Sequence, residues 1–173
     1  LRSPHAHAII HSFDKSKALA LAGVVEVITG ADWAESGFGV IPTNSAVKEN
    51  LDGTPIAVPD RPCLASERVR FVGEPVAMVI AETSLIAREA AELVEVDYEL
   101  LQSVTHPVKA LEPGALQLHD DIPDNLCVHW ELGDGMETQA ELETSDHVIT
   151  LELHNNRVTA APIEPRGTLA IPD

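Results

Sequence analysis

The most regular hydrophobic pattern of the chain lies between residues 68 and 99. Within it, residues 76–81 form an unbroken apolar run of strand length. Runs of this kind are typical of strands covered on both faces. Just upstream, Gly73 permits unusual backbone angles and Pro75 fixes φ, so the two residues predict a turn. We therefore expect a strand, a turn and then a central, doubly covered strand, in which Val79→Asp should unfold the domain.

Two further elements follow the central strand. Thr83 is a favourable helix N-cap, and apolar residues recur at helical spacing from there to Leu93. From residue 94 to residue 99, apolar and acidic positions alternate, which is typical of a half-buried strand. The acidic face of that strand should be solvated, so Asp97→Asn should have only a mild effect.

The same order of elements is predicted at the N-terminus. Residues 6–13 read as a strand, and Asp14 can cap a short helix over 15–21. A second strand is predicted over 24–28, and a short helical turn follows from Ala31. The two regions share this order but not their sequence, so we do not interpret them as an internal repeat.

Two stretches, 34–66 and 100–131, are rich in glycine, proline and turn residues and show no sustained period. A loop as long as 34–66 is usually functional, disordered or an interface. Periodic structure stops near His119, where we place a domain boundary. Beyond it, the pattern predicts a helix over 136–144 with Asp134 as a possible cap. It also predicts three strands: 127–132, 148–153 and 168–171.

The charge balance narrows the classes of partner. The 173 residues include 11 basic and 28 acidic ones, a net charge of -17. Such a chain lacks the cations needed to neutralise phosphates, which argues against nucleic acid and anionic membrane surfaces. No apolar run approaches the roughly 20 residues that span a bilayer. Cys63 and Cys127 are the only cysteines and form no C-x-x-C motif, so we expect a reducing, cytoplasmic setting.

Several polar groups are candidate sites. His5, His7 and His11 would share one face of a strand and could meet a metal, although surface or interface histidines are the more common case. The alternating acidic residues after Val94 are better explained by a solvated face than by acid–base catalysis. No phosphate-binding glycine loop and no serine nucleophile elbow is present.

The segment Glu164-Pro165-Arg166 allows two interpretations. The acid and the base flanking a rigid proline can form salt bridges that hold the loop. Alternatively, they can line the approach to an active site. We favour the structural role, because the sequence supplies no activated nucleophile nearby.

Several motifs together resemble a known family. They are Arg2-Ser3-Pro4-His5-Ala6-His7-Ala8, Val69-Arg70-Phe71-Val72-Gly73-Glu74-Pro75-Val76-Ala77, Ala90-Ala91-Glu92-Leu93-Val94, Val96-Asp97-Tyr98-Glu99, Asn156-Arg157 and Pro162-Ile163-Glu164-Pro165-Arg166-Gly167. In this order they resemble the α/β hammerhead domain in the large subunit of molybdenum hydroxylases, the xanthine dehydrogenase, aldehyde oxidase and carbon monoxide dehydrogenase group. Ile163 stands where the family usually has methionine, which conserves volume.

The resemblance implies an α+β fold, an α/β hammerhead with a mixed sheet and flanking helices over residues 1–119. Residues 120–173 would be a linker and the first elements of the molybdopterin-binding domain. It implies no catalytic, cofactor-binding or metal-binding residue in this chain, and places the discriminating substrate contacts elsewhere. The motif residues with an implied structural or interface role are Arg70, Gly73, Glu74, Pro75, Glu164, Pro165 and Arg166.

For the complete subunit, the resemblance implies oxidative hydroxylation by a molybdenum–pterin dinucleotide cofactor, with iron–sulfur clusters and FAD on partner domains or subunits. The partners would be the remainder of the large subunit, these electron-transfer units and further copies in an oligomer. The chain begins with Leu1 rather than methionine, so we expect a piece of a longer polypeptide that is inactive alone. Two alternatives stay open: a free-standing hammerhead scaffold or binding module, and a small enzyme with its site at the histidines.

Overall fold

The computed structural model describes residues 1–156, 158, 163, 164 and 167–171. The chain divides into two compact units, Leu1–Glu131 and Leu132–Asp173. The first unit contains five strands, three helices and two single turns of 3-10 helix. In chain order they are β1 (Ala8–Asp14), α1 (Ser16–Leu19), β2 (Val24–Thr29), α2 (Gly30–Glu35), β3 (Arg68–Val69), β4 (Ala77–Ala81), α3 (Ser84–Glu92), β5 (Glu95–Leu100) and the turns Lys109–Leu111 and Pro123–Asn125.

The first sheet has three strands in the order β3-β1-β5, all antiparallel. Ala8 pairs with Val69 on one side and with Leu100 on the other. Ala8, Ile10 and Val69 form a buried cluster with Val76. On β5, Val96 and Tyr98 are half-buried while Glu95, Asp97 and Glu99 are exposed, which confirms the predicted alternation.

The second sheet consists of β2 and β4, also antiparallel, with Val27 opposite Val79. Its inner face packs on a second buried cluster that includes Ala18, Ala90 and Val94. Helices α1 and α3 each connect a strand of one sheet to a strand of the other. Two neighbouring parallel strands need a connection that crosses over and returns to the same sheet. Neither helix makes such a connection, and the described strands pair only antiparallel. In place of the expected mixed sheet there are two antiparallel sheets. The α+β class is confirmed.

The expectation that β4 is covered on both faces is wrong for the described residues. Val76 and Ala77 are buried, but Met78 is 39% exposed and Ile80 is 41% exposed. Successive strand side chains point to opposite faces, and only the inner face of this two-stranded sheet meets the buried cluster around Ala90. The apolar run therefore contains one buried face and one exposed apolar face.

Side chains accept hydrogen bonds from backbone N–H groups at the starts of α1, α2 and α3. The Thr83 side chain accepts a hydrogen bond from the backbone N–H of Ile86 at 3.2 Å, which confirms the predicted cap of α3. The side chain of Asp14 accepts one from the N–H of Ser16 at 2.9 Å at the start of α1. At α2, Thr29 and Asp32 form a reciprocal capping box.

We expect the capping box to contribute to acid stability. The backbone N–H of Thr29, the Lys15 ammonium and the Thr29 hydroxyl all donate to Asp32 and lower its pKa from 3.8 to about 2. The folded state thus favours the carboxylate, so this stabilisation is present above pH 3.8 and is lost as the pH falls toward 2.

Asp32→Asn should consequently reduce the change in melting temperature between pH 5 and pH 2, measured by circular dichroism. Asp97→Asn, on an exposed strand position, is the matched control and should leave that pH dependence unchanged. Equal pH profiles for wild type and Asp32→Asn would contradict the role assigned to the box.

The long irregular stretches contain few regular elements, as predicted. Between α2 and β3, the structure shows only isolated bridges such as Val40 with Pro62. Residues 127–132 do not form the expected strand. The carbonyls of Cys127 and His129 accept single bonds from Ala57 and Leu51, at 2.9 and 2.8 Å. Because the His129 N–H bonds the Asn50 side chain instead of a backbone carbonyl, no continuous ladder forms.

The second unit contains one helix among its described residues, α4 (Gly135–Thr144). The Asp134 carboxylate accepts the N–H of Glu137 at 2.9 Å, which confirms the predicted helix and its cap. The strands expected over 148–153 and 168–171 are absent, and the described residues there are exposed. An apolar alternation forms a strand only when another strand pairs with it, and the described part of this unit supplies no partner. None of the helices in the described ranges is long and apolar enough to cross a bilayer.

Candidate functional site

Four of the predicted motif residues, Arg70, Gly73, Glu74 and Pro75, lie in the turn between β3 and β4. The N–H of Ser3 donates to the carbonyl of Glu74 at 2.9 Å, and the N–H of Gly73 donates to the carbonyl of Ser3 at 2.8 Å. The Arg2 guanidinium donates to the Gly73 carbonyl at 2.7 Å. Gly73 has a φ of +88°, a conformation that favours glycine. The N-terminal motif and the Gly73-Glu74-Pro75 motif are therefore parts of one structure.

Glu74 and Arg70 close this turn from the inside. Glu74 is only 7% exposed, and its carboxylate accepts the backbone N–H of Arg70. The Nε of Arg70 donates to the carbonyl of Leu118 at 2.9 Å. Buried carboxylates need such partners, because an unpaired one is costly. The pair therefore fixes the turn and ties it to a segment 48 residues further along the chain.

That segment is held by Asn125. Its side-chain amide donates to the carbonyls of Ala110 and Leu116, at 2.9 and 2.8 Å. Its side-chain oxygen accepts the N–H of Leu118 at 2.8 Å. Asn125 and Asp124 both have a φ of +55°, which asparagine and aspartate tolerate better than most residues. One side chain thus organises the whole loop that Arg70 contacts.

Asn125→Ala should cost about 2 kcal/mol of stability, because three hydrogen bonds of partly buried groups are lost. Asp124→Ala is the matched control, since it shares the same φ and its side chain makes none of these bonds. Urea unfolding of the two variants measures the difference. Equal losses would show that backbone strain, and not the Asn125 side chain, controls this loop.

A cavity of about 270 Å³ lies beside the turn. Arg70, Glu74, Cys63, Phe71 and His119 contribute to its lining. Burial lowers the pKa of His119, and the positive charge of Arg70 lowers this pKa further, so the imidazole is neutral near pH 7. The cavity can hold a small group. The hydrogen bonds of Glu74 and Arg70 beside it restrain the chain, and they do not activate a nucleophile.

Sequence reasoning did not find Ser3, Leu118 or His119 as parts of this site. Ser3 is 2% exposed, and its backbone pairs with Gly73 and Glu74, which are distant in the sequence. Two signals were available: Ser3 stands in the N-terminal motif, and His119 stands at the predicted domain boundary. Contacts of such separation are not encoded in any local spacing.

The three N-terminal histidines are separated by the fold. The His5 ring packs against Tyr98 with centroids 4.9 Å apart. The Nδ1 of His7 bonds the carbonyl of Gln102 at 2.7 Å, while His11 pairs with Glu99 at 2.9 Å. A bulge next to Ile10 breaks the alternation on which the shared face depended. Among the described residues, no group of three or more potential metal ligands is found.

The C-terminal motif is only partly described. Glu164 is exposed. Pro165 and Arg166 lie outside the described residues, so both interpretations of this motif stay predictions.

Two family models match the chain. The aldehyde oxidase and xanthine dehydrogenase a/b hammerhead domain matches residues 1–102. The molybdopterin cofactor-binding domain matches residues 118–173. Arg70 lies in the first match and Leu118 in the second, so the hydrogen bond between them joins the two matched regions.

Relatives with assigned names agree. The chain is 39% identical to the carbon monoxide dehydrogenase large chain of Afipia carboxidovorans, over 95% of this chain and 20% of that protein. It is 35% identical to the nicotine 6-hydroxylase large subunit of Paenarthrobacter nicotinovorans, over 98% of this chain and 20% of that protein. It is 32% identical to the carbon monoxide dehydrogenase large chain of Hydrogenophaga pseudoflava, over 98% of this chain and 21% of that protein.

Experimental structures of similar proteins share the fold. CO dehydrogenase from Oligotropha carboxidovorans aligns with a TM-score of 0.69 at 38% identity, over 84% of this chain and 18% of that one. Quinoline 2-oxidoreductase from Pseudomonas putida 86 aligns with a TM-score of 0.61 at 41% identity, over 70% of this chain and 14% of that one.

The chain spans about one fifth of the length of the named relatives. These relatives are named as large chains or large subunits. The hammerhead match covers residues 1–102, more than half of the chain. The chain therefore belongs to the aldehyde oxidase and xanthine dehydrogenase family, as part of the large-subunit sequence.

Proposed function

We propose that this chain is the structural and interface portion of the large subunit of a molybdopterin-dependent oxidoreductase. Residues 1–119 form the hammerhead domain, and residues 120–173 form the linker and the first elements of the cofactor domain. Alone, the chain binds no cofactor and catalyses no reaction. Cys63 and Cys127 are free thiols, which supports a reducing, cytoplasmic location.

The main support for this proposal is the Arg70 bridge, the hydrogen bond from the Arg70 side chain to the carbonyl of Leu118. The buried Glu74 carboxylate fixes the backbone at Arg70, and the Arg70 side chain then reaches the carbonyl of Leu118. Leu118 is the first residue that matches the cofactor-binding domain model, so this hydrogen bond ties the turn to the C-terminal end of the hammerhead, next to the proposed linker. Gly73 and Pro75 shape the same turn. We assign a corresponding structural or interface role to Glu164, Pro165 and Arg166.

The molybdenum–pterin dinucleotide belongs to the rest of the subunit in this proposal. All described residues of the second unit are exposed, so they do not form the enclosed polar cradle that a pterin dinucleotide requires. When bound in the complete subunit, the cofactor supplies oxidative hydroxylation. The proposed partners are domains or subunits with iron–sulfur clusters and FAD, which would accept the electrons.

The proposal is tested with Arg70→Met in the complete subunit, a change that removes the donor to Leu118 and keeps most of the volume. We expect a lower melting temperature and a lower yield of assembled complex, with turnover per bound molybdenum unchanged. Lys48→Met is the control, since Lys48 is exposed and its side-chain ammonium donates to the nearby Asn44 side chain. Loss of turnover per molybdenum without loss of stability would contradict a structural role.

A further inference from the structure

His7 is a buried residue with one unpaired ring nitrogen in the described part of the chain. It is 3% exposed, and its Nδ1 lies 2.7 Å from the carbonyl oxygen of Gln102. A carbonyl oxygen can only accept, so Nδ1 carries the proton and Nε2 presents an unprotonated lone pair. Nε2 is buried and bonds no donor among the described residues. A buried acceptor of this kind is costly unless a donor reaches it.

The strand register places Arg70 next to His7. In the antiparallel pairing of β1 with β3, Ala8 lies opposite Val69. The same register, continued by one residue, puts His7 opposite Arg70. Ala8 and Val69 belong to the buried cluster, and successive strand side chains point to opposite faces. The side chains of His7 and Arg70 therefore share the other face of the sheet.

His7 and Arg70 form a non-hydrogen-bonded pair. The carbonyl of His7 accepts from the N–H of Leu101, on the β5 side. The N–H of Arg70 donates to the Glu74 carboxylate. Because these backbone groups bond elsewhere and not to each other, the pair is of the kind in which opposite side chains approach most closely.

The hydrogen bond of Nδ1 orients the imidazole of His7. β1 is the central strand of its sheet, with β5 on one side and β3 on the other. Gln102, which binds Nδ1, follows β5. The two ring nitrogens point in widely different directions, so Nε2 is directed to the β3 side, where Arg70 lies. The Arg70 guanidinium is held by its Nε bond to Leu118 and carries further N–H donors on its two Nη atoms.

The chemistry of the two groups selects the kind of ligand that can link them. Arg70 does not bond Nε2 directly, so a third group has to accept from the guanidinium and donate to Nε2. Water does both, whereas an anion has no proton for Nε2 and a metal ion would lie against the positive charge of Arg70. The cavities of about 420 Å³ and 270 Å³ that Arg70 lines do not have His7 in their lining, which favours a group as small as water.

We propose that His7 and Arg70 bind one internal water molecule, which accepts from an Nη–H of Arg70 and donates to Nε2 of His7. A buried water needs at least two such partners, and its hydrogen bonds are nearly as favourable as direct ones. His7 is thus a positioning residue, because it restrains the guanidinium whose Nε holds the Leu118 carbonyl. The N-terminal motif and the Arg70 bridge become parts of one polar network.

A crystal structure of the complete subunit, at a resolution that shows ordered water, tests the site. We expect one water oxygen within about 3.2 Å of both Nε2 of His7 and an Nη atom of Arg70. A guanidinium nitrogen bonded directly to Nε2, or no water between the two side chains, would overturn the proposal. Because the site uses residues of the first unit, this test does not depend on molybdenum content.

A double-mutant cycle tests the same link in solution. His7→Asn keeps an amide N–H near the position of Nδ1 and removes the acceptor at Nε2, while Arg70→Met removes the guanidinium. We expect the unfolding equilibrium constant of the double variant, from urea unfolding, to be at least about threefold smaller than the two single effects multiplied together. Single effects that simply multiply would contradict a shared water.

Arg68→Met takes the place of Arg70→Met in the control cycle. Arg68 lies on the same strand but opposite Ile9, and its guanidinium bonds the exposed Asp120 at 3.3 Å. Its effect should multiply independently with that of His7→Asn. Coupling of equal size in both cycles would show that the effect is not specific to His7 and Arg70, and would also overturn the proposal.

Discussion

Gly30→Ala is expected to destabilise the first unit by about 3 kcal/mol or more. A Cβ at this position would lie 2.2 Å from the carbonyl oxygen and 2.4 Å from the carbonyl carbon of Ala65. These are backbone atoms, which cannot rotate away as a flexible side chain can. Gly30 also donates its N–H to Val76 at 3.2 Å. Relief of the clash would therefore displace the start of α2 from the segment before β3.

Gly135→Ala is the control for this prediction. Gly135 opens α4, and no atom lies within 4 Å of a Cβ built there. Alanine also favours helix over glycine, so this variant should be neutral or slightly more stable. Thermal unfolding followed by circular dichroism compares the two. Similar melting temperatures for Gly30→Ala and wild type would mean that α2 does not contact Ala65 as described.

Val79→Asp is expected to have an effect of similar size, about 3 kcal/mol. Val79 lies on the inner face of β4 and packs against the cluster of Ala18, Val27, Ala90 and Val94. A carboxylate there would lose its hydration, and the apolar neighbours offer it no hydrogen bond or counter-charge. The domain should therefore be largely unfolded at temperatures where the wild type is folded.

Met78→Asp tests the same strand on its other face. Met78 is 39% exposed, so a carboxylate at this position stays hydrated, and we expect a loss below about 1 kcal/mol. Urea unfolding curves measure both variants. Equal destabilisation by the two substitutions would contradict the assignment of one buried and one exposed face to β4.

Val79 and Met78 show which features of β4 could be predicted from the sequence alone. The apolar run correctly located the strand, and Thr83 correctly located the helix that follows. The run did not reveal how many faces of the strand are covered. A sequence of apolar residues is the same whether their side chains are buried or exposed in this chain. The predicted strand at 148–153 failed for a related reason: strand formation depends on a partner, which local alternation does not specify.

Some residues of the candidate site could likewise be predicted from the sequence, and others could not. The turn at Gly73 was predicted from the residue type, and Arg70 and Glu74 were named because the motif around them resembles the family's. The partners that give the turn its role, Ser3 and Leu118, are distant in sequence and were not found. The Arg70 bond ends on a backbone carbonyl, which every residue carries, so the sequence around Leu118 offered no distinguishing signal.

We propose that this chain supports a molybdenum cofactor held elsewhere in the same subunit. The most direct measurement is the molybdenum content, by mass spectrometry, of the purified 173-residue chain and of the complete gene product, both from cells that make the cofactor. We predict about one molybdenum per complete subunit and none on the 173-residue chain. Stoichiometric molybdenum on the short chain, or none on the complete protein, would contradict the account.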